Sequence, residues 1–358
     1  MNCTSHRPTR QAWRLSISLA ALLLLPGAAG AQPGPPRLAV AVDTPDRRAT
    51  RIFVGTPNGS GFQPVTDGKT RDRYPAFSPD GKLLAYQSTN DLGLHTIMVR
   101  PLTGNAPARA LAAGRHPQWS PDGTRILFSR RHLNEDSLYV IRADGSEKDS
   151  GLKPLTRGQL GRWSPDGEQL AVVASAIVEG QDRWQIRILN AKTLEPRFTM
   201  SLPESYGQVV SLDWSPSGEK LLFSVARQEQ YQLFVLDPRL PEPKRVPLEG
   251  GSVKAPNPAY GSWSADGKEI IFRSMGDASG EGNVHSRLLA MKADGTDVRT
   301  LWEPASPRLR LYGTAWHQPR VEQVAAAPKP PAPKPVEAKP EVAQAPPPRP
   351  PAGNPEPP

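Results

Sequence analysis

The sequence predicts an all-β protein: a six-bladed β-propeller of four-stranded antiparallel blades, its ring closed by the C-terminal strand pairing with the N-terminal blade. Three observations predict it. An aromatic residue followed by Ser-Pro-Asp-Gly and a short apolar run recurs along the chain. Each copy is trailed by further short apolar runs separated by turn signals. The first unit lacks its opening strand, and the last copy of the phrase supplies only that strand.

The copies are Phe77-Ser-Pro-Asp-Gly81, Trp119-Ser-Pro-Asp-Gly123, Trp163-Ser-Pro-Asp-Gly167, Trp214-Ser-Pro-Ser-Gly218 and Trp263-Ser-Ala-Asp-Gly267, with a decayed sixth at Trp316-His-Gln-Pro319. Their aromatics are 42, 44, 51, 49 and 53 residues apart, the period of propeller blades. Within a copy the aromatic ends one strand, Pro presets φ, Gly takes the left-handed position, and the apolar run starts the antiparallel return. Third strands follow at His95–Arg100, Ser137–Ile141, Trp184–Leu189, Tyr231–Leu236 and Ser286–Met291. Ala143-Asp-Gly-Ser146 and Ala293-Asp-Gly-Thr296 close second hairpins, and segments such as Lys153–Thr156 give the outer strand.

The blade count is decided at the ends. Arg37–Val42, Arg51–Val54 and Phe62–Thr66 read as strands two to four of a unit with no first strand, and the orphan Trp316 segment supplies it. That pairing removes two open sheet edges, which are an aggregation liability. The propeller is placed at residues 37–320.

Of the 358 residues, 42 are Pro, and 14 of these lie in residues 328–358. This stretch has no aromatic, Leu or Ile, so residues 321–358 are expected to be a disordered Pro/Ala/Lys-rich tail, extended where proline dominates. At the other end, Arg7, Arg10 and Arg14 precede the apolar run Leu15–Leu25, a Pro26-Gly27 break and the small-residue pattern Ala29-Gly-Ala31. Residues 1–31 are therefore expected to be a cleaved signal peptide, 32–36 a short linker, and the location periplasmic. Cys3, the only cysteine, leaves with the leader, so the exported fold relies on no disulfide. Without the three leader arginines, 41 basic face 35 acidic residues, a mild excess that does not make a nucleic-acid binder.

The Trp-Ser-Pro-Asp-Gly phrase, repeated at these spacings in an exported chain, resembles the TolB-like six-bladed propellers, whose namesake works in the Tol-Pal envelope system. The resemblance covers about Arg37 to Pro319. It implies a platform for envelope proteins, with a Pal-like lipoprotein docking at the mouth where the connections between blades gather. The α/β domain that precedes the TolB propeller has no counterpart between Gln32 and Pro36, so its roles are not carried over.

The repeat aromatics Phe77, Trp119, Trp163, Trp214, Trp263 and Trp316 are expected to pack between blades, and the turn aspartates to form turns. The histidines His95, His116, His132, His285 and His317 lack the close spacing of zinc sites. The loop from Asp277 to Asn283 has calcium-like alternation but Leu288 at the twelfth place. Neither cofactor nor metal is expected. There is no Gly-x-Ser-x-Gly elbow and no segment long enough for a hydrolase domain. The connections at the mouth carry Arg71, Arg73, Tyr74, Arg115, His116, Gln159, Arg162, Tyr206, Gln208, Lys254, Asn257, Tyr260, Arg308, Arg310 and Tyr312. Arg and Tyr are favoured at interface hot spots. From these, Arg71, Arg73, Tyr74, Arg115, His116, Arg162, Tyr206, Tyr260, Arg310 and Tyr312 are taken as the partner-binding set.

The expected function is a non-catalytic, monomeric, protein-binding platform of the bacterial envelope. The alternative is a channel-based enzyme or small-ligand binder of the lyase or lactonase type. A shallow Arg/Tyr-lined mouth favours the first; a deep pocket ringed by ionisable groups of perturbed pKa favours the second.

Overall fold

The computed structural model describes residues 37–317 apart from 47, 105, 133–134, 229, 241–242, 247–256, 275–285 and 305–308. The leader, linker and tail, the 277–283 loop, His285, Lys254 and Arg308 lie outside the described residues.

The chain runs as short strands in six units. The first holds β1 (Arg37–Asp43), β2 (Thr50–Gly55) and β3 (Gln63–Pro64). Then come β4 (Arg71–Phe77), β5 (Leu83–Thr89), β6 (His95–Pro101) and β7 (Arg109–Ala113). The next set is β8 (Arg115–Trp119), β9 (Arg125–His132), β10 (Glu135–Arg142) and β11 (Thr156–Arg157). After it follow β12 (Leu160–Trp163), β13 (Gln169–Val178), β14 (Gln181–Asn190) and β15 (Pro196–Ser201). The last two sets are β16 (Gln208–Trp214), β17 (Leu221–Arg227), β18 (Gln230–Leu236) and β19 (Lys244–Arg245), and β20 (Pro258–Trp263), β21 (Glu269–Ser274), β22 (Arg287–Lys292) and β23 (Arg299–Trp302). Neighbouring strands within each set pair antiparallel. The final strand, β24 (Leu311–His317), pairs antiparallel with β1, Arg37 opposite His317 and Ala41 opposite Gly313. The first unit thereby gains the inner strand its sequence lacks.

Apolar packing explains the ring. A blade is covered on both faces by its neighbours, so its second strand buries alternate residues in opposite directions and reads as a continuous apolar run. In β1, Leu38, Val40 and Val42 pack with Ile271 and Leu288 of the preceding blade. Ala39 and Ala41 pack with Leu84 and Tyr86 of the following one. Similar clusters join the remaining neighbours around the ring, for example Trp119 and Phe128 with Ala76 and Ile97. The fully buried Phe128, Phe223 and Phe272 sit on the second strands of their blades, and burial of each contributes about 2–3 kcal/mol.

The Ser-Pro-Asp-Gly turns share one hydrogen-bond scheme. The Gly amide donates to the Ser carbonyl, with the Gly at φ near +70°, as at Gly81 and Gly123. The Ser hydroxyl donates to the Asp carboxylate at 2.5–2.6 Å in four copies. These turns face one end of the ring. The other end holds the connections between blades and the tips of the hairpins joining second and third strands, because four antiparallel strands bring the chain back to the face where it started.

Candidate functional site

The inner strands β4, β8, β12, β16, β20 and β24 surround a central cavity of about 370 Å³. Its wall at the turn end is made by Pro79, Pro121, Pro165 and Pro216 with the repeat aromatics; toward the mouth it is made by Tyr74, His116, Leu160, Val210 and Tyr260. Those mouth-side residues reach the axis through a shared backbone device. Pairing of β4 with β5 slips between Arg73 and Ala76, of β8 with β9 between Arg115 and Gln118, and of β20 with β21 between Ala259 and Ser262. The bulges force Tyr74, His116 and Tyr260 to φ of 52°, 55° and 56°. A bulky residue in the left-handed region costs on the order of 1–3 kcal/mol and is retained where the surrounding structure dictates it. Here the strain turns three ring side chains to the axis. A slip in the pairing of β24 places Tyr312 at the corresponding height.

The ring side chains engage one another and the arginines. Tyr74 and His116 meet edge-on with centroids 4.4 Å apart. The Arg73 guanidinium lies 3.7 Å over the Tyr312 ring, and that of Arg273 lies 3.7 Å over Tyr260. Arg273 also donates through Nη1 to the Leu311 carbonyl, tying β21 to β24. Burial raises the Tyr74 phenol above its ordinary pKa. Burial, helped by the Arg115 and Arg162 charges, depresses His116 to about 3, so its imidazole is neutral and Nδ1 sits 3.3 Å from the Ser129 hydroxyl.

Deeper in the cavity, Arg162 and Asp213 occupy equivalent positions on neighbouring inner strands, each just before its repeat aromatic. Arg162 Nε donates to the Leu212 carbonyl at 2.8 Å and lies 3.9 Å from Asp213. Asp213 accepts from Ser262 Oγ at 2.8 Å and from the Trp263 amide at 2.9 Å. Burial pushes its carboxyl above the usual range, with Arg162 and these donors opposing. The cavity thus holds Tyr74, His116, Arg162 and Asp213, ionisable groups moved from their ordinary values by burial.

The partner-binding set divides in this geometry. Tyr74, His116, Tyr260 and Arg162 line the cavity, while Arg73 and Tyr312 stack beside it. Arg71 is exposed at the start of β4, its Nε 3.4 Å from the Arg48 carbonyl. Arg310 is exposed at the rim, and its amide donates to Asp43 at 3.2 Å. Arg115 is held by Asp136 at 2.6 Å. Tyr206 stacks on Phe234 at 4.7 Å and packs against the core between two blades, outside the cavity wall. Gln159 and Gln208 are 3.5 Å apart. Of the repeat aromatics, Trp119 Nε1 donates to the Ala76 carbonyl at 3.0 Å and Trp214 Nε1 to the Arg162 carbonyl at 3.1 Å, each reaching the preceding blade. Around the mouth, Leu92 (83% exposed), Leu94 (62%) and Ile177 (72%) project from the β5–β6 and β13–β14 hairpins.

Sequence reasoning missed Asp213 and Arg273. A signal for Asp213 is present: the residue before the repeat aromatic is Ala76, Gln118, Arg162, Asp213, Ser262 or Ala315, charged only in two successive copies and with opposite signs. For Arg273 the signal is a lone charge inside the otherwise buried run Ile270–Ser274.

No family model matches the sequence. A 239-residue stretch is 30% identical to the uncharacterized protein Atu1656 of Agrobacterium fabrum, covering 64% of this chain and 75% of that protein. The chain belongs to the family of Atu1656. Among solved structures, this family member matches TolB from Acinetobacter baumannii with a TM-score of 0.55 at 18% identity, over 78% of this chain and 67% of that one. A chain of the nidogen/laminin complex matches with a TM-score of 0.57 at 14% identity, over 79% and 99%. The fold is that of a TolB-like propeller.

One expectation is overturned. The sequence reading expected a non-catalytic protein and kept a channel-based enzyme only as the alternative, but 130 residues are 32% identical to the uncharacterized peptidase YuxL of Bacillus subtilis. The match spans 34% of this chain and only 18% of YuxL, and it places a peptidase among the relatives of this family member. A missing Gly-x-Ser-x-Gly elbow bears on one kind of active site only, and the cavity itself is ringed by buried ionisable groups. No helix among the described residues is long and apolar enough to cross a membrane.

Proposed function

We propose that this protein is exported to the bacterial cell envelope through its leader and docks another envelope protein on the mouth of the propeller. The observation that carries this reading is the mouth face itself. Exposed Leu92, Leu94 and Ile177 stand around a ring of tyrosines and arginines, and aromatic, Arg and apolar groups gathered on one face are the composition of a protein interface. Arg73, which forms no ion pair among the described residues, and the rim Arg310 favour an acidic partner. The likeness to TolB supports an envelope setting and makes a Pal-like lipoprotein the first partner to test. In this reading the propeller of residues 37–320 is the binding module and the Pro-rich 321–358 segment a spacer.

Arg73→Glu combined with Arg310→Glu should weaken partner binding by on the order of 2 kcal/mol or more, because like charges then face each other across the interface. Arg115 is left alone, since a carboxylate there would oppose Asp136. Lys82→Glu with Arg125→Glu on the turn face should leave binding unchanged. Loss of the partner in the turn-face variant with retention in the mouth variant would assign the interface to the wrong end.

A second reading is favoured by the cavity. Neutral His116, the Tyr74 phenol and the Arg162–Asp213 pair could hold or transform a small polar molecule. Replacing Asp213 by Asn should abolish any such binding or turnover while sparing the rim; unchanged ligand binding would remove this reading.

A further inference from the structure

We propose that the mouth contains a carboxylate-binding site, in which Arg73 receives an Asp, Glu or C-terminal carboxylate carried on a polypeptide segment of the partner and the buried Arg273 supplies a fixed positive field behind it. The inference rests on the mouth reading above and names what that mouth recognises.

Arg273 is 2% exposed, and its Nε has no hydrogen-bond partner. The groups it meets among the described residues, the Leu311 carbonyl and the Tyr260 side chain, are neutral. No carboxylate among the described residues forms an ion pair with it, whereas Arg115 has Asp136 and Arg299 has Glu269. A neutral amide could donate to Leu311 equally well, so the charge is surplus to that tie. Burying an uncompensated cation is costly, and its field reaches far in a low-dielectric wall. That field opens on the cavity side, where Tyr74 and Tyr260 stand.

Arg73 completes the site. It is half-buried and stacked on Tyr312, which fixes the plane of its guanidinium, and its Nε is likewise unpartnered. No described acceptor or carboxylate engages it. A guanidinium with its plane fixed and its edge free is suited to a carboxylate, which it can hold through two parallel N–H donors. Arg73 stacks on Tyr312 and Arg273 donates to the carbonyl of the preceding Leu311, so the two guanidinium groups meet β24 at successive residues. Exposed Leu92 and Leu94 stand on the β5–β6 hairpin of the blade that carries Arg73, where a polypeptide segment could cover them and a free small acid would not, so the carboxylate is assigned to a protein segment.

The test is selection of a displayed random heptapeptide library on the full mature chain. Peptides carrying an Asp or Glu among apolar residues should be enriched. The best of them should lose about tenfold or more in affinity when its acid becomes the amide, and similarly against Arg73→Gln, with Arg73→Lys intermediate. In the wild type, the acidic peptide should also shift tyrosine ionisation at 295 nm to higher pH, and its amide version should not. This readout needs no variant and so survives if Arg73→Gln fails to fold. Selected peptides that compete with a mouth label but carry no acid would overturn the carboxylate site and leave the mouth reading standing. Peptides lost only in the Lys82→Glu, Arg125→Glu variant, or no enrichment at all, would overturn both. Glutarate binding as tightly as the peptide would overturn the assignment to a polypeptide.

Discussion

Replacing Ser217 by Asp should stabilise the protein, because among the five complete copies of the phrase the fourth alone lacks its carboxylate. In the other four turns the Asp accepts from the Ser hydroxyl at 2.5–2.6 Å and from the amide two residues on at 3.0–3.1 Å. Ser217 makes the same two contacts at 3.2 and 3.4 Å. Hydrogen bonds to an ionised acceptor are worth about 1.5–3 kcal/mol each when buried, and solvent at these exposed turns reduces the pair to about 1 kcal/mol. For a ring of this size that is a rise of about 2–4 °C in Tm. The serine hydroxyl and the following amide hold Asp122 and Asp266 below the usual carboxylate range. A carboxyl depressed on folding contributes stability that is present above its unfolded pKa and lost as pH falls through the folded one. Thermal melts of wild type, Ser217→Asp and Ser217→Ala should therefore show the gain at pH 7 and little of it at pH 2–3. A Ser217→Asp protein that melts no higher than wild type, or whose gain persists in acid, would refute this account of the turn.

Ending the chain before Leu311 removes β24 and exposes one edge of β1, so it should cause aggregation or a large loss of Tm, while ending it after Val324 should not; light scattering and melts compare the two. Gly313→Ala should lower Tm by several degrees, since a Cβ there would lie 2.8 Å from the Tyr74 backbone nitrogen, which cannot yield; the cost is about 1–3 kcal/mol. His116 is held neutral to about pH 3, so between the unfolded value near 6.5 and that pH the unfolded chain binds the extra proton and acid destabilises the fold. His116→Gln should flatten the fall of Tm between pH 6.5 and 4. Intact mass of exported protein should give a chain beginning at Gln32 without Cys3 or lipid; a mass that retains the leader would overturn the export reading.

The ring was legible because its determinants are local and repeated. Phe77, Trp119, Trp163, Trp214 and Trp263 mark where each inner strand ends, and the unmatched Trp316 shows which strand the first unit lacks. The site was less legible because bulges decide it. A residue on an inner strand faces either the axis or a neighbouring blade, and one extra residue changes which. Tyr206 and Tyr260 both read as mouth tyrosines, but Tyr206 stacks on Phe234 whereas Tyr260 lies at a slip in pairing and turns to the cavity. The signal is faint but present: Tyr74-Pro75, His116-Pro117 and Tyr260-Gly261 each set a ring residue before Pro or Gly, three positions ahead of the repeat aromatic. Arg115 could not be distinguished from Arg73 in sequence, because its partner Asp136 lies two strands away.

The claim that the mouth is the functional face is tested most directly by placing a photo-crosslinking residue at Leu92 or Arg310 on that face, and at Lys82 or Arg125 on the turn face, and irradiating intact cells. Leu92 is 83% exposed, so the label there disturbs no packing. The account predicts a discrete protein adduct from positions 92 and 310 and none from 82 and 125. Adducts confined to the turn face, or none from the mouth, would contradict it.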